Sequence, residues 1–362
     1  MKRSEFSTVE IAQLRLRNQR LASAPLATPA DVVRRLGAVQ AQDYLGSLWA
    51  LGLRSRQATE ASIERAVADG SIVRSWPLRG TLHYVAAEDL RWMLALAAPR
   101  TVARAASRYR QLELDEATFT RSNRVLARAL RGGKRLTRPE LAAALERAGI
   151  STDGQRLIHL LNRSALDGLT CYAARRGKQF TFALLDEWVP DSRRFERERS
   201  LAELAGRYFM SRGPATLRDF VWWSGLTAAD ARAGLELVKQ RLSREVFGGE
   251  TYWLASSAPA ARDDAPAAYL LPAFDEYTVA YKDRDAVLHP SQASLVNAGS
   301  SVLSPVVIIG GRVVGTWKRE LKKDSVVVTP SLFVALKASE RRALSEAAQR
   351  YGEFLGLSAE LA

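Results

Sequence analysis

The chain has 362 residues, of which 47% are hydrophobic and 25% are charged, a composition that predicts a folded protein with several small domains. Lysine and arginine number 53 against 39 aspartate and glutamate residues, so the formal net charge is +14. This excess favours nucleic acid or an anionic membrane surface as partner. No apolar run reaches the ~18–20 residues of a membrane span, so we expect nucleic acid and no membrane partner.

The cysteine and histidine residues exclude further classes of site. Cys171 is the only cysteine, so no intrachain disulfide can form. This fits a reducing compartment, and we expect a bacterial cytoplasmic protein that associates with the nucleoid. His83, His159 and His289 lie far apart in the sequence, whereas a zinc site needs about four ligands, usually closely paired. The sequence therefore predicts no metal and no other cofactor.

A helix is predicted to open at Thr28-Pro29-Ala30-Asp31, because a capping threonine followed three positions later by an acid satisfies free backbone donors. The pattern recurs at Thr137–Glu140 and at Thr216–Asp219. In the first copy 31 residues separate Thr28 from Thr59, which opens the next helix, against 15 and 11 residues in the other copies. The excess lies in Gln40–Gln57, and a loop there is a favourable place for functional residues.

Each capping pattern belongs to a longer repeat of three helices followed by a two-stranded hairpin. The flanking helices and the strands of the second copy are predicted at Asn123–Arg131, Asp153–Leu166, Leu169–Ala174 and Gln179–Leu184. Those of the third copy are predicted at Leu201–Met210, Ala228–Arg241, Val246–Phe247 and Thr251–Leu254. Three helices and a hairpin are the winged-helix plan. The alternative is three helical bundles with incidental hairpins.

Basic residues concentrate in the middle of the chain. The segment Arg100–Arg138 holds eleven lysine and arginine residues against three acids. Arg175, Arg176 and Lys178 lie at the turn of the second predicted hairpin. A basic hairpin tip suits phosphate contacts, which position a protein on DNA without reading its sequence. We therefore predict that these three side chains bind DNA.

The C-terminal part differs in character from the repeats. Residues 255–266 are small, polar and proline-containing, which predicts a linker. Stretches of strand length follow at Tyr269–Phe274, Ser304–Ile309, Arg312–Trp317 and Ser325–Thr329. Gly310-Gly311 predicts a tight hairpin turn, with Arg312 at its tip as a further DNA contact. A final helix, Pro330–Leu355, closes this β-barrel or sheet.

Together these elements predict an α+β fold with four domains. Residues 1–120 form a winged helix that carries the insertion. Residues 121–190 and 191–258 form the second and third winged helices, and residues 259–362 form a β-barrel with its closing helix. No dimerisation helix is evident, so we expect a monomer.

Gln40-Ala41-Gln42 in the insertion is the candidate catalytic motif. Two amides separated by one residue face opposite ways on a helix but the same way in an extended chain. If the preceding helix ends near Val39, both carboxamides converge on one point, where they can hold a water or a sugar without carrying charge. The alternative is two surface glutamines at a helix end.

Acids and one histidine compete for a role at the site. Asp43 adjoins the motif and could orient a water or Gln42, although helix capping or a salt bridge is the alternative. Asp275 and Glu276 fall on a predicted strand, so they point to opposite faces and cannot act as a close dyad; Asp275 remains an outside candidate. His83 lies on the first predicted wing and could contact a phosphate or the lesion, with a structural role as the alternative.

Four segments, in the same order as in the family, resemble the AlkZ/YcaQ family of bacterial winged-helix DNA glycosylases. They are AVQAQDYLGSLWALGLRSR, SWPLRGTLHYV, LLPAFDEYTVAYKDR and GGRVVGTWKR, and the similarity runs from about residue 8 to about residue 345. The resemblance implies three winged helices in a C-shape with a C-terminal β-barrel. It also implies that Gln40 and Gln42 are catalytic, because the AlkZ-like branch carries Gln, an aliphatic residue and Gln.

The resemblance predicts a monofunctional DNA glycosylase of base excision repair. Most N-glycosylases use a carboxylate, as glycosidases do. An N7-alkylated guanine already carries positive charge and leaves readily, so amides that position water and deoxyribose suffice. The expected substrates are cationic N3- or N7-alkylpurines in double-stranded DNA. The branch is associated with unhooking interstrand crosslinks and with resistance to alkylating natural products. The alternatives are a non-catalytic winged-helix DNA-binding protein or transcription regulator, and a small-substrate hydrolase using Asp275 or Asp43.

Overall fold

The structure is a computed structural model that describes residues 7–256, 267–297 and 304–362. From residue 257 onward the predicted linker lies outside these residues. The fold is α+β, as predicted, and its described residues form two compact units. Unit 1 takes in Met1–Ile63, Leu201–Trp223 and Thr227–Ala362, and unit 2 takes in Glu64–Ser200 and Ser224–Leu226. The four predicted domains are a different division of the chain and stay a prediction.

The helices and strands are numbered in chain order. The helices are α1 (Thr8–Asn18), α2 (Pro29–Leu36), α3 (Tyr44–Gly52), α4 (Glu60–Ala68), α5 (Leu90–Gln111), α6 (Glu116–Leu130), α7 (Arg138–Arg147), α8 (Arg156–Leu166), α9 (Leu185–Trp188), α10 (Arg197–Arg212), α11 (Leu217–Ser224), α12 (Ala228–Val238), α13 (Glu276–Val279), α14 (Ala293–Val296) and α15 (Ala338–Leu355). The strands are β1 (Val39–Gln40), β2 (Ile72–Leu78), β3 (Thr81–Ala86), β4 (Leu136–Thr137), β5 (Thr170–Arg176), β6 (Gln179–Leu184), β7 (Leu242–Phe247), β8 (Glu250–Ala255), β9 (Ala268–Leu271), β10 (Val306–Ile309), β11 (Arg312–Leu321), β12 (Ser325–Leu332) and β13 (Ser358–Leu361). None of the described helices is both long and apolar enough to cross a membrane.

The predicted capping patterns do begin helices. At α2 the Asp31 backbone N–H donates to the Thr28 hydroxyl over 3.1 Å, and the Thr28 N–H donates to the Asp31 carboxylate over 3.2 Å. The same reciprocal pair joins Thr216 and Asp219 at α11 over 3.0 and 3.1 Å. At α7 the Thr137 N–H donates to the Glu140 carboxylate over 2.6 Å. These bonds satisfy donors that a helix start leaves free.

Two predicted helix starts differ most from the structure, and local contacts give the reasons. Helix α6 begins at Glu116 rather than Asn123, because the Asp115 side chain caps it by accepting from the Thr118 N–H over 2.7 Å. Helix α15 begins at Ala338 rather than Pro330, because β12 continues to Leu332 and pairs Pro330 with Trp317 of β11. Pairing with a neighbouring strand thus outweighs the preference of proline for a helix start at this position.

Unit 2 is built on antiparallel strands in the order β3-β2-β5-β6-β4. The hairpin of β2 and β3 joins that of β5 and β6 through the pairing of Arg74 with Tyr172. Both His83 on β3 and Cys171 on β5 are fully buried in this sheet. The His83 Nδ1 lies 2.9 Å from the Thr81 carbonyl oxygen. Burial therefore supports the structural role for His83 and leaves no direct phosphate contact open to it.

The C-terminal part of unit 1 is an open, curled sheet in the order β13-β12-β11-β10-β9. In the described residues β13 and β9 are its two edges, so the predicted β-barrel or sheet is an open half-barrel sheet. Helix α15 closes this part of the fold: Tyr351 packs edge-on against Trp317 of β11, with ring centroids 5.2 Å apart. An apolar core lies between the sheet and α1, and it includes Ala12, Leu271 and Ile308.

The predicted hairpin turn at Gly310-Gly311 is formed between β10 and β11, and it is anchored to the core through Gly311. Its strand β10 is buried and lies inside the sheet, between β9 and β11. The Tyr277 hydroxyl donates to the Gly311 carbonyl over 2.6 Å and lies 3.0 Å from the Ala12 carbonyl. A Cβ on Gly311 would lie 2.9 Å from the Ala12 Cβ. Gly310 itself is exposed and Arg312 is half-buried beside it, so the contact of Arg312 with DNA stays a prediction.

We predict that Gly311→Ala destabilises the fold by about 2–4 kcal/mol, because strain at a φ of +85° adds to the clash with α1. Gly310→Ala is the matched control: its φ is +58°, but nothing lies within 4 Å of its Cβ position, so about 1 kcal/mol of strain is expected. Urea denaturation followed by circular dichroism measures both. Equal losses would contradict the packing of this turn against α1.

Candidate active site

The candidate motif lies where helix α2 gives way to an extended chain. The helix ends at Leu36, and Gly37 follows with a φ of +76°, which reverses the chain direction. Val39 and Gln40 then form β1. The helix thus ends before Val39, as the convergence of the two amides requires. Gln40 is buried at 7% exposure, whereas Gln42 is exposed.

The backbone of Gln40 is held by a buried carboxylate from a distant part of the chain. Its N–H donates to Glu276 Oε1 over 2.8 Å. Glu276 is fully buried, and its other oxygen, Oε2, accepts from Arg212 over 2.6 Å and from the Trp223 indole over 2.9 Å. Both oxygens of this carboxylate therefore have donors, which a buried charge requires.

Arg212 connects this carboxylate to the end of α2. It is fully buried and donates to the Leu36 carbonyl over 2.5 Å and to the Ala38 carbonyl over 2.9 Å. Its guanidinium lies 4.3 Å from the centre of the Trp223 ring. The Arg212–Glu276 pair thus holds the chain on both sides of Gly37 and at Gln40. A buried pair adds little net stability, but losing one partner leaves an uncompensated charge.

Asp275 forms a second buried pair, which removes it as a candidate acid. Its two oxygens each accept from Arg54 over 2.8 Å, and both side chains are at most 1% exposed. Arg54 also donates to the carbonyls of Gln19 and Ala50 over 2.9 and 2.8 Å. Asp275 further caps α13 by accepting from the Tyr277 N–H over 2.9 Å.

The predicted strand over Asp275 and Glu276 is wrong, since these residues begin helix α13. The two carboxylates nevertheless do not form a close dyad, because Asp275 pairs with Arg54 and Glu276 pairs with Arg212. The function of Glu276 as an anchor for Gln40 was missed. The only sequence signal for it was a pair of adjacent acids in an otherwise apolar segment. Carboxylates that are buried in such a segment need cationic partners. The sequence does not say which of its many arginines supply them.

The insertion Gln40–Gln57 is largely helical rather than a loop. Helix α3 buries Leu48, Trp49 and Leu51. The Trp49 indole donates to the Leu270 carbonyl over 2.6 Å, and its ring lies 5.1 Å from that of Phe354 on α15. The segment that follows Gln42 is therefore rigidly attached to the C-terminal sheet and its closing helix.

Asp43 stands at the start of α3, directly after the motif. It occupies the capping position, yet its side chain makes no capping hydrogen bond. The carboxylate instead lies over Gly46: a Cβ at that glycine would be 2.3 Å from Asp43 Oδ2. Asp43 is half-buried. The capping alternative is thus not what the geometry gives.

Two of the three predicted DNA contacts on the second hairpin have carboxylate partners. Arg175 pairs with Glu64 and Arg176 pairs with Glu140, each over 2.8 Å. A backbone hydrogen bond from Thr137 and the pairing with Arg176 lower the pKa of Glu140 to about 2. Lys178 is exposed in the turn itself. These pairs offset the charge of the two arginines, and their contact with DNA stays a prediction.

A different hairpin of unit 1 has an exposed, basic end. Strands β11 and β12 pair from Gly315 with Leu332 to Leu321 with Val326, and Leu321 is 52% exposed. The side chains of Lys318, Lys322 and Lys323 are exposed there, and Lys322 lies 3.8 Å from a carboxylate oxygen of Glu360. This end of the β11–β12 hairpin was not among the predicted DNA contacts, because the Gly-Gly turn is the stronger local signal for a hairpin.

Other reactive groups in the described residues offer no second site. Burial raises the pKa of the Cys171 thiol to about 12, so it is not a nucleophile at neutral pH. No group of three or more His, Cys, Asp or Glu side chains in the described ranges could hold a metal ion.

Comparisons with known proteins agree with this geometry. A sequence model of the family described as "DNA glycosylase AlkZ-like" matches residues 33–354. The "Interstrand DNA cross-link repair glycosylase" of Streptomyces sahachiroi is 29% identical over 340 residues, covering 87% of this chain and 88% of that protein. The solved structure of Streptomyces sahachiroi DNA glycosylase AlkZ superposes with a TM-score of 0.79 at 25% identity, covering 99% of this chain and all of that one. On these matches and on the motif described above, the chain belongs to the AlkZ-like family of DNA glycosylases.

Proposed function

We propose that this chain is a monofunctional DNA glycosylase that hydrolyses the N-glycosidic bond of cationic N7- or N3-alkylpurines in double-stranded DNA. The observation that carries the proposal is the hydrogen bond from the Gln40 N–H to the buried Glu276. It holds the motif Gln40-Ala41-Gln42 at a fixed place on a rigid part of unit 1. Membership of the AlkZ-like family supports the same activity.

The chemistry follows from the charge of the substrate. In a cationic alkylpurine the C1′–N bond breaks with its electron pair moving to the base, so the base leaves neutral and needs no acid. Water then attacks C1′ and leaves an abasic site. The amides of Gln40 and Gln42 each offer donors and an acceptor, with which they position the water and the deoxyribose. A neutral pair would not excise an ordinary uncharged base efficiently.

Strand cleavage is not part of the proposal. A lyase forms a Schiff base through an amine, usually that of a lysine. No lysine occurs between Lys2 and Lys134, so none neighbours the motif in sequence. The product we expect is an intact strand with an abasic site.

We further propose that DNA is held by winged-helix units. Helices α6, α7 and α8 with the hairpin of β5 and β6 form one, and α10, α11 and α12 with β7 and β8 form another. The winged helix predicted over residues 1–120 is the one that carries the motif Gln40-Ala41-Gln42. A net charge of +14 favours binding to phosphates irrespective of sequence. By analogy with the Streptomyces relative, whose name is interstrand cross-link repair glycosylase, crosslink unhooking is a proposed role. Resistance to alkylating natural products, which the resemblance to the AlkZ-like branch implies, stays a proposal, as does a monomer in the bacterial cytoplasm.

The same repeats would also suit a winged-helix DNA-binding protein or transcription regulator without catalysis, which is the second candidate. One assay separates the two functions. Duplex DNA with N7-methylguanine is incubated with the protein and then with an endonuclease specific for abasic sites, which cuts the strand only where a base has been lost. A regulator would give no cleavage and would prefer one palindromic sequence.

We predict that Gln40→Ala and Gln42→Ala each slow excision by roughly tenfold to a thousandfold, since each removes one positioning group. DNA affinity should be nearly unchanged, because a neutral amide contributes little to attraction by phosphates. Single-turnover excision and fluorescence anisotropy measure the two quantities. Gln349→Ala, at an exposed glutamine on α15, is the control and should behave as wild type. Wild-type rates in both motif variants would end the catalytic assignment.

We predict that Glu276→Gln lowers the free energy of unfolding by about 3–5 kcal/mol, because Arg212 loses its buried counter-charge. In the fraction that stays folded, excision should slow as well, since Gln40 and the end of α2 share this anchor. Urea denaturation and excision below the unfolding transition measure the two effects. Glu346→Gln, at an exposed position of α15, should leave both unchanged. Full excision by Glu276→Gln would show that the anchor does not position the motif.

We predict that replacing Lys318, Lys322 and Lys323 with glutamine depresses crosslink unhooking more than release of 7-methylguanine. A crosslink tethers both strands, so the duplex must be held or distorted while one bond breaks, and extra contacts offset that cost. Lys134, Lys239 and Lys337 are exposed elsewhere, and their joint replacement lowers the net charge equally. Equal losses on both substrates, or equal losses in the control, would remove the hairpin from crosslink recognition.

A further inference from the structure

The carboxylate of Asp43, directly after the motif, has no hydrogen-bonding role in the described part of the fold. The Asp43 side chain is half-buried, but it forms no hydrogen bond or ion pair with any residue of the described ranges. Aspartate at the start of a helix normally accepts from a backbone N–H two or three residues on. Here that bond is absent. By contrast, both buried acids near the motif, Asp275 and Glu276, have every oxygen paired.

Gly46 determines where this carboxylate lies. A Cβ at Gly46 would be 2.3 Å from Asp43 Oδ2, 2.9 Å from Asp43 Cγ and 3.0 Å from the Pro272 Cβ. No side chain could be added without moving the carboxylate. The φ of Gly46 is not in the left-handed region, so the backbone does not require glycine. Glycine inside a helix is otherwise unfavourable. Its presence at position 46 is therefore explained by the Asp43 carboxylate, which occupies the place of a side chain.

We propose that Asp43 is a catalytic residue that accepts the proton of the attacking water, and that Gly46 is a positioning residue that places its carboxylate. The proposal rests on the glycosylase function proposed above and adds the base that the amide pair lacks. Amide groups can orient a water through hydrogen bonds but are too weakly basic to take its proton.

The proposed step balances as a hydrolysis. The water oxygen bonds to C1′ while the C1′–N bond breaks, and the electron pair of that bond neutralises the cationic base. The proton lost by the water moves to the Asp43 carboxylate and from there to solvent. Before it takes the proton, the negative carboxylate also stabilises the positive charge that develops on the sugar, as in glycosidases. Asp43 is well placed in the chain for this, since consecutive Cα atoms lie ~3.8 Å apart and Gln42 is its neighbour.

The competing explanation is that Asp43 only stabilises α3, because a negative charge near a helix start interacts favourably with the helix dipole. The two explanations differ in what Asp43→Asn does. This change keeps the shape of the side chain and removes its charge. If Asp43 is catalytic, the Asp43→Asn variant releases the base more slowly and keeps its DNA affinity. If Asp43 only stabilises α3, the variant has a lower melting temperature and the folded protein keeps its rate.

The test is single-turnover release of 7-methylguanine by full-length protein at saturating enzyme. We expect Asp43→Asn to slow release about 100-fold or more, within the range for general acid–base groups. Its DNA affinity should be unchanged or slightly tighter, and its melting temperature nearly unchanged. Asp285→Asn removes one charge at an exposed position of unit 1 and should match wild type. A rate for Asp43→Asn within about threefold of wild type overturns the catalytic assignment.

The role of Gly46 is tested by a double-mutant cycle. Gly46→Ala should slow release in the wild-type background, because it displaces the carboxylate. In the Asp43→Ala background it should add no further loss, because the group that it displaces is already gone. Equal factors in both backgrounds would show that Gly46 does not act through Asp43. If the wild-type protein releases no base, the proposed function fails; if wild type and Asp43→Asn are equally active, this inference alone fails.

Discussion

The candidate active site depends on one buried carboxylate, which would be strongly destabilising without hydrogen-bond donors and a counter-charge. Glu276 is fully buried, and it is tolerated because Arg212, the Trp223 indole and the Gln40 backbone supply donors to both of its oxygens. The anchor is electrostatically demanding rather than strongly stabilising, since the cost of desolvating two charges offsets most of their attraction. What it provides is geometry: a peptide N–H and two carbonyls around Gly37 are tied to one rigid pair.

This arrangement separates two tasks along the motif. Gln40 is buried and tied through its backbone, whereas Gln42 is exposed and Asp43 has no hydrogen bond or ion pair in the described residues. The segment therefore runs from a fixed interior end to an accessible end within four residues. Rigid attachment of α3 through Trp49 fixes the second side of the segment. Catalytic groups work best when neighbouring packing restricts their positions before substrate arrives.

Local sequence signals predicted the features that depend on local physics. Capping at Thr28, Thr137 and Thr216 was predictable because each box closes within four residues. The end of helix α2 ahead of the Gln-Ala-Gln motif was predictable as well, because Gly37 directly follows the last helical residue. The features that failed depend on distant partners. The strand assigned to Asp275 and Glu276 is a helix start, because Arg54 and Arg212 bring these acids inside. Gly311 in the turn after β10 is buried because it packs against Ala12 of α1, a contact that no local pattern predicts.

The bond from Gln40 to Glu276 joins residues 236 positions apart, and this has a consequence for synthesis of the protein. A ribosome that has completed the motif must translate most of the remaining chain before its anchor exists. Contacts between such distant residues form slowly, because a large loop must close first. A truncated or half-made chain therefore contains Gln40 and Gln42 but lacks Glu276, to which the Gln40 N–H is bonded in the complete fold.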